Sequence, residues 1–326
     1  MEAIKHHYIP QFILRNFCFK DKLLYYYNKN TNKVSIKRTD EIFMMHNLYR
    51  DEINCADNPT EIEIKLSKFE NEVARIINNK VLNTNEIRLS EYDENRLRLF
   101  IAVMAFRNKR VFEWFGSNMT SSNKEFFKSF QKDENFIDLW KRNLSYIVDC
   151  RSLQEVAKHN KIDLPFKYYM IRDGFIDYEV VDGDLLKLLI NNAGYMLQFM
   201  KYFVVIERRG EKDFVIGDNY PPQVLGELDN GKSLHLYTIC PISPSRSVLL
   251  VSMGIFNSPS HLRVFEDKIL KLLSYDNRGN LVITVKKVYQ NVLEELNNSI
   301  ISQSVEGYAF VNKERVGNVY NKKMWN

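Results

Sequence analysis

Between Leu97 and Phe106 the chain carries Leu97, Phe100, Ile101 and Met104 on one side of a helical projection. Leu99, Val103 and Phe106 fall on the other. A helix that is apolar on more than one side cannot sit on a surface; other elements must surround it. The rest of the chain therefore has to wrap this segment. Ser90-Glu91-Tyr92-Asp93 marks its start as a capping box, and the apolar series through Val111 predicts a helix running to about Phe115. A second helix is expected after Asp57-Asn58-Pro59-Thr60-Glu61, with Asn58 as cap, Pro59 in the first position and Glu61 completing a capping box. Ile62, Leu66, Phe69, Val73, Ile76 and Ile77 line one face of it, and Glu63 and Glu70 lie seven residues apart at the border of that stripe.

Around these helices the pattern is mixed. Leu23 to Tyr27 and Lys33 to Ile36 flank an Asn-rich turn and predict an N-terminal hairpin. Further helix is expected over 119–160, best at Asn123 to Phe130 and Phe136 to Val148. An extended link follows at Gly174 to Val181, then a helix from Asp182 to about Met200. After residue 200 the composition turns β-prone. Tyr202 to Glu207 and Asp213 to Ile216 read as a hairpin, with strands at Leu234 to Cys240 and Ser247 to Ser252. Helices are expected at Ser260 to Leu273 and Val285 to Ile301, and a late strand at Tyr308 to Val311. The expected class is α+β: a mostly helical N-terminal and middle region with an N-terminal hairpin, then a small antiparallel sheet flanked by helices. A single compact domain over 1–326 is expected, mainly helical over residues 1–200 and sheet-containing over residues 201–326.

Charge is unevenly placed. Residues 1–50 hold nine Lys/Arg and four Asp/Glu, which accounts for the whole net charge of +5; the other residues carry 37 of each sign. Lys20, Lys22, Lys29, Lys33, Lys37 and Arg38 are candidates for holding a nucleic-acid backbone. The plainer alternative is a solvated hairpin whose lysines guard its edge. Four scattered cysteines without a Cys-x-x-Cys pair exclude a disulfide scaffold and a Cys-rich zinc module. With no apolar run long enough to span a bilayer and no signal-peptide pattern at Met1 to His7, a cytoplasmic protein without membrane contact is expected.

The common catalytic motifs are missing. There is no P-loop, no dinucleotide-binding glycine fingerprint, no His-Glu-x-x-His and no nucleophile elbow. Asp218 lacks the Glu-x-Lys or Asp-x-Lys on a following strand that a restriction-nuclease core needs. The strongest local pattern is Lys5-His6-His7-Tyr8-Ile9-Pro10-Gln11-Phe12-Ile13-Leu14-Arg15-Asn16-Phe17. Its paired imidazoles could serve as general bases or metal ligands; equally, one ring could cap a helix end or bond within a polar core.

This segment resembles the opening of a bacterial domain of unknown function, number 4238, whose members begin His-His-Tyr-x-Pro-Gln-Phe-x-Leu-Arg-x-Phe. Further similarities keep their order: Asn47-Leu48-Tyr49; Glu61, Glu63 and Lys65 to Glu70; Leu89-Ser90; Phe106-Arg107; Phe214 to Asn219; and Pro241-Ile242-Ser243-Pro244. The chain departs from the family pattern at Gly217, where a serine is usual, and at Tyr220, which separates Asn219 from Pro221. It departs again at Asn108-Lys109, which replaces Thr-Pro. The resemblance implies no particular reaction.

The leading functional expectation is an effector acting on nucleic acid, a phosphodiester-cleaving nuclease or toxin in phage defence. His6 or His7 would be general base or metal ligand, Asp218 would orient it or share a Mg or Mn ion, and Arg107 would neutralise the phosphate in the transition state; Asn219 is a further catalytic candidate. Gln11, Arg15, Glu63 and Glu70 are supporting candidates. The alternatives are a non-enzymatic interaction module, with a protein partner or a second copy of the chain, and an enzyme acting on a nucleotide or another small molecule.

Overall fold

The computed structural model describes residues 5–108, 136–159, 202–227, 233–251 and 271–315. The expected helix at 123–130, the link at 174–181, the helix at 182–200 and most of that at 260–273 lie outside them.

The chain opens with strand β1 (Lys5–His7), antiparallel to β4 (Met44–His46). Alternation along a strand sends successive side chains to opposite faces, so His6 is buried and His7 half-buried on the other side. Helix α1 (Gln11–Asn16) follows Pro10 and buries Ile13 and Leu14. Strands β2 (Leu23–Asn28) and β3 (Lys33–Arg38) form the expected hairpin. The Asn28 side chain accepts from the Thr31 N–H, and Asn32 takes a positive φ at the turn.

Helix α2 (Glu61–Ile76) buries Ile62, Leu66, Phe69, Val73 and Ile76 as its spacing required. Its cap is Thr60, not Asn58: the Asn58 side chain accepts from the Thr60 hydroxyl, and the Asn58 carbonyl from the Glu61 N–H. A wider helical turn at Ile77–Val81 leads to β5 (Glu86–Leu89). Helix α3 (Glu91–Phe106) has the Ser90/Asp93 capping box and is buried along nearly all of Leu97 to Phe106. It stops at Phe106, with Arg107 as C-cap, short of the expected Phe115. Helices α4 (Phe136–Asp149) and α5 (Leu153–His159) come next; the Trp140 indole donates to the Phe106 carbonyl, closing the end of α3.

The second half supplies β6 (Tyr202–Arg208), β7 (Ile216–Gly217), β8 (Gln223–Glu227), β9 (Ser233–Pro241), β10 (Arg246–Val251), β11 (Leu273–Tyr275), β12 (Leu281–Thr284), β13 (Lys286–Val288), α6 (Gln290–Gln303) and β14 (Gly307–Phe310). The described residues thus contain fourteen strands in four sheets. This corrects the expectation of a mostly helical chain with one small antiparallel sheet: the fold is a mixed α+β arrangement. The five-stranded sheet runs β13-β6-β10-β9-β8, with β13 parallel to β6. The expected hairpin of Tyr202 to Glu207 with Asp213 to Ile216 does not form. Strand β6 pairs with β10 and β13, while β7 joins a four-stranded sheet ordered β3-β2-β14-β7. The N-terminal hairpin is thereby the outer half of a sheet completed from the far end of the chain. The segment expected as one helix from Val285 divides into β13 and α6.

Buried polar contacts join elements far apart in the chain. Arg246 pairs with Glu207 and donates to the carbonyls of Val81 and Thr84. The Asn297 side chain accepts from the Val215 N–H and donates to the Asp213 carbonyl. Among the described residues no helix is long and apolar enough to cross a membrane.

Candidate functional site

Four elements converge where α3 ends: the β1/β4 ribbon, Tyr49 just after it, one border of α2, and the turn following β7. Arg107 lies at their centre with no exposed surface. Its Nη1 is 2.5 Å from Oε1 of Glu70 on α2, and its guanidinium lies 5.9 Å from the Tyr49 ring centroid. The Glu70 contact is a close ion pair through Nη1. Nε and Nη2 make no hydrogen bond among the described residues. Buried guanidinium donors are normally spent; here two of the three nitrogens are not. Burial works to lower the Arg107 pKa, and Glu70 first, then Tyr49 and Glu63, more than offset it.

The two histidines differ sharply. His6 stacks on Tyr49, with ring centroids 5.3 Å apart, and its Nδ1 accepts the Tyr49 backbone N–H at 2.8 Å. That bond puts the proton of the neutral ring on Nε2, which is buried without a partner. Burial, then the charges of His7, Arg50 and Lys141, lower the His6 pKa to about 4. His7 is reached by Gln11, whose amide nitrogen lies 2.7 Å from its Nε2 and also donates to the Thr39 carbonyl. The carbonyl fixes the orientation of the Gln11 amide, so His7 Nε2 is the acceptor. Burial holds the His7 pKa below its ordinary value; the Thr39 backbone and Asp40 oppose this, and Arg107 and Lys5 add to it. Tyr49 donates its hydroxyl to the His7 carbonyl, bracing the strand.

Glu63 stands two turns before Glu70 and makes no hydrogen bond or ion pair among the described residues. Burial raises its pKa to about 7; Arg107 opposes this, and Glu70 adds to it. On the other side, the Asn108 amide donates to Asn219 Oδ1 at 3.0 Å and to the Tyr220 carbonyl at 3.2 Å, and Asn219 donates to Gln303. Sequence reasoning missed Asn108 and Tyr49. Asn108 stood only as a departure from the family pattern, and Tyr49 only as part of the Asn47-Leu48-Tyr49 similarity, with no role attached.

Several expected members lie elsewhere. The Asp218 carboxylate accepts the backbone N–H groups of Val305, Glu306 and Gly307, holding the turn between α6 and β14. Arg15 is exposed at the end of α1. Lys29 donates to the Ile301 and Ser304 carbonyls at the C-terminus of α6, a structural use of its charge. Arg38 pairs with Asp40; Lys20, Lys22 and Lys33 are exposed and Lys37 is half-exposed. Among the described residues no group of three His, Cys, Asp or Glu side chains could hold a metal ion. With His6 Nδ1 and both Asp218 oxygens already engaged, the expected sharing of Mg or Mn between the histidine pair and Asp218 does not fit this arrangement.

Gly217, where the family pattern has serine, has a local reason. A Cβ there would meet Ser304 Oγ at 2.1 Å. The Ser304 hydroxyl fills that space and donates to the Ile300 carbonyl.

No curated protein and no solved structure matches the chain. A family profile described as "Protein of unknown function (DUF4238)" matches residues 5–314, nearly its full length, and the chain belongs to that family.

Proposed function

We propose that this protein acts on nucleic acid by cleaving RNA phosphodiesters through acid–base chemistry around Arg107. The observation that carries the reading is a buried guanidinium, paired with Glu70 through one nitrogen, whose charge is felt by both an imidazole, His7, and a carboxyl, Glu63. RNA brings its own nucleophile, the 2′-hydroxyl, so one base, one acid and one cation suffice. The His7 Nε2 lone pair, held by Gln11 in the free protein, takes the 2′-hydroxyl proton as that oxygen attacks phosphorus. Glu63 gives its proton to the departing 5′-oxygen as the P–O5′ bond breaks, leaving a 2′,3′-cyclic phosphate. The buried Arg107 charge offsets that of the non-bridging oxygens from behind the reacting groups. Environments that make a histidine the base and a glutamic acid the acid near neutrality are the usual sign of such a pair. Glu70 and Asn108 position Arg107 and Asn219; Asp218 holds the frame beneath them.

The test is cleavage of a single-stranded RNA in the presence of a chelator, beside DNA of the same sequence. The proposal expects cyclic-phosphate products from RNA and none from DNA. His7→Ala should lower the rate by about two to four orders of magnitude with the fold retained. A wild-type protein that leaves RNA intact ends the proposal. The interaction-module reading draws on the enclosure of His6 and Arg107, and would then take its place.

A further inference from the structure

The N-terminal hairpin ends in an open strand edge. Strand β3 is outermost in its sheet, paired with β2 on one side and with no strand on the other among the described residues. Residues of an antiparallel strand aim their backbone groups alternately toward and away from the partner. The register sets Lys22 opposite Thr39, and the Thr39 N–H donates to the Lys22 carbonyl at 3.0 Å. By alternation Lys33, Ser35 and Lys37 also turn their backbone groups to β2, while Val34, Ile36 and Arg38 turn theirs outward. Arg38 does so: its N–H donates to the Glu41 carboxylate at 2.8 Å, and its carbonyl accepts the Glu41 N–H at 3.1 Å. The outward groups of Val34 and Ile36 have no partner among the described residues. Side chains alternate too. Val34 and Ile36 share one face, and Ile36 is 55% exposed. Lys33, Ser35 and Lys37 share the other, and neither lysine ammonium is paired among the described residues.

We propose that this edge takes an extended segment of an acidic partner protein as a further antiparallel strand. In strand addition the main-chain hydrogen bonds give affinity and the alternate side chains give specificity. The sheet is antiparallel at every pairing, so the added strand continues its pattern. Partner residues opposite Val34 and Ile36 lie on their apolar face; those opposite Lys33 and Lys37 lie on the lysine face. The segment recognised therefore reads acidic, apolar, any, apolar, acidic, with the central residue opposite Ser35. Two observations choose this occupant over a second copy of the chain. Pairing of two copies about a two-fold axis over Val34 and Ile36 sets Lys33 of each against Lys37 of the other, and like charges directly opposite destabilise. A carboxylate is complementary, and the edge already holds one, that of Glu41 on the Arg38 N–H. Lysines protect an edge from like-charged strands, but an exposed isoleucine between them does the reverse. The inference does not depend on the RNA-cleaving reading.

The test is fluorescence anisotropy of the full chain with the labelled peptide Gly-Glu-Val-Thr-Val-Glu-Gly at low ionic strength. Saturable binding that weakens with salt is expected. A peptide with lysine in place of glutamate should not bind. N-methylation of both valines, whose N–H groups face the edge, should abolish binding, whereas N-methylation of the threonine should not. Ile36→Pro removes an outward N–H and spares the ladder to β2, a place where an edge strand tolerates proline. It should weaken binding about tenfold with the thermal midpoint unchanged. Should that variant fail to fold, Lys33→Glu with Lys37→Glu gives the second reading: loss of the acidic peptide and uptake of the lysine peptide. The proposal is overturned by absent binding, by equal binding of the lysine or valine-methylated peptide, or by unchanged affinity in either folded variant. A wild-type dimer that the acidic peptide does not dissociate and Ile36→Pro does would place a second copy on the edge, and overturns it as well.

Discussion

Arg107 Nη1 and Glu70 Oε1 stand 2.5 Å apart, while Nε and Nη2 make no hydrogen bond among the described residues. The pair neutralises charge through one nitrogen and forgoes the two-pronged geometry that makes arginine–carboxylate contacts strongest. Removing either partner leaves an uncompensated charge in a closed site. Arg107→Ala and Glu70→Gln should each cost about 3–5 kcal/mol in urea denaturation. Arg107→Lys should recover only a fraction, because an ammonium lacks the planar fork. A loss below about 1 kcal/mol in both would mean the pair is effectively solvated.

Asp218 belongs to the frame, with its carboxylate taken by three consecutive backbone N–H groups. Asp218→Ala should lower stability by about 3 kcal/mol, read as an earlier thermal midpoint. The fraction that remains folded should cleave RNA at the wild-type rate. A rate loss in folded protein would return Asp218 to the reacting groups.

Gly217→Ser should destabilise, because the new Cβ would fall on Ser304 Oγ. Ser304→Ala empties that space, so the double variant should recover most of the loss. The check is a double-mutant cycle on thermal or urea unfolding, with a coupling of about 1–3 kcal/mol expected. Additive losses would show that the two positions do not compete for one volume.

Stability should respond to pH through two opposed contributions. The fold favours protonated Glu63, whose pKa is about 7 against an ordinary 4.5. That contribution is full below about pH 4.5 and is lost as pH rises through about 7. The fold favours neutral His6 and His7; the His6 contribution is full above about pH 6.5 and is lost as pH falls through about 4. Between those limits the two offset each other. Glu63→Gln should remove the first and leave stability climbing with pH across pH 4 to 6.5, by on the order of 3 kcal/mol. Urea midpoints measured every half unit of pH check this; identical profiles for variant and wild type would deny Glu63 its raised pKa.

Much of this was legible in the residues, and the remainder was hidden for a physical reason. Helices α2 and α3 declared themselves through apolar spacing and, for α3, the Ser90/Asp93 box, because a helix is a local object. Strands β5, β11 and β13 did not, since three or four residues carry too little periodicity and their partners lie far away in sequence. Pairing of β2 with β14 is likewise a long-range fact. At the site, His6, His7, Arg107 and Glu70 could be nominated by residue type and by family pattern. The division of labour could not: that Asp218 is consumed by amides, that Lys29 closes α6, and that Glu63 is the perturbed carboxyl all depend on what each side chain meets after folding.

In the proposed reaction His7 and Glu63 work as base and acid across one phosphodiester. The most direct measurement is the pH dependence of single-turnover RNA cleavage in chelator. A bell is predicted, with a rising limb below pH 6.5 from neutralisation of His7 and a falling limb near pH 7 from ionisation of Glu63. Glu63→Gln should abolish the falling limb and lower the maximum. A wild-type rate that climbs without a break through about pH 8, or a falling limb that survives in Glu63→Gln, would contradict the claim.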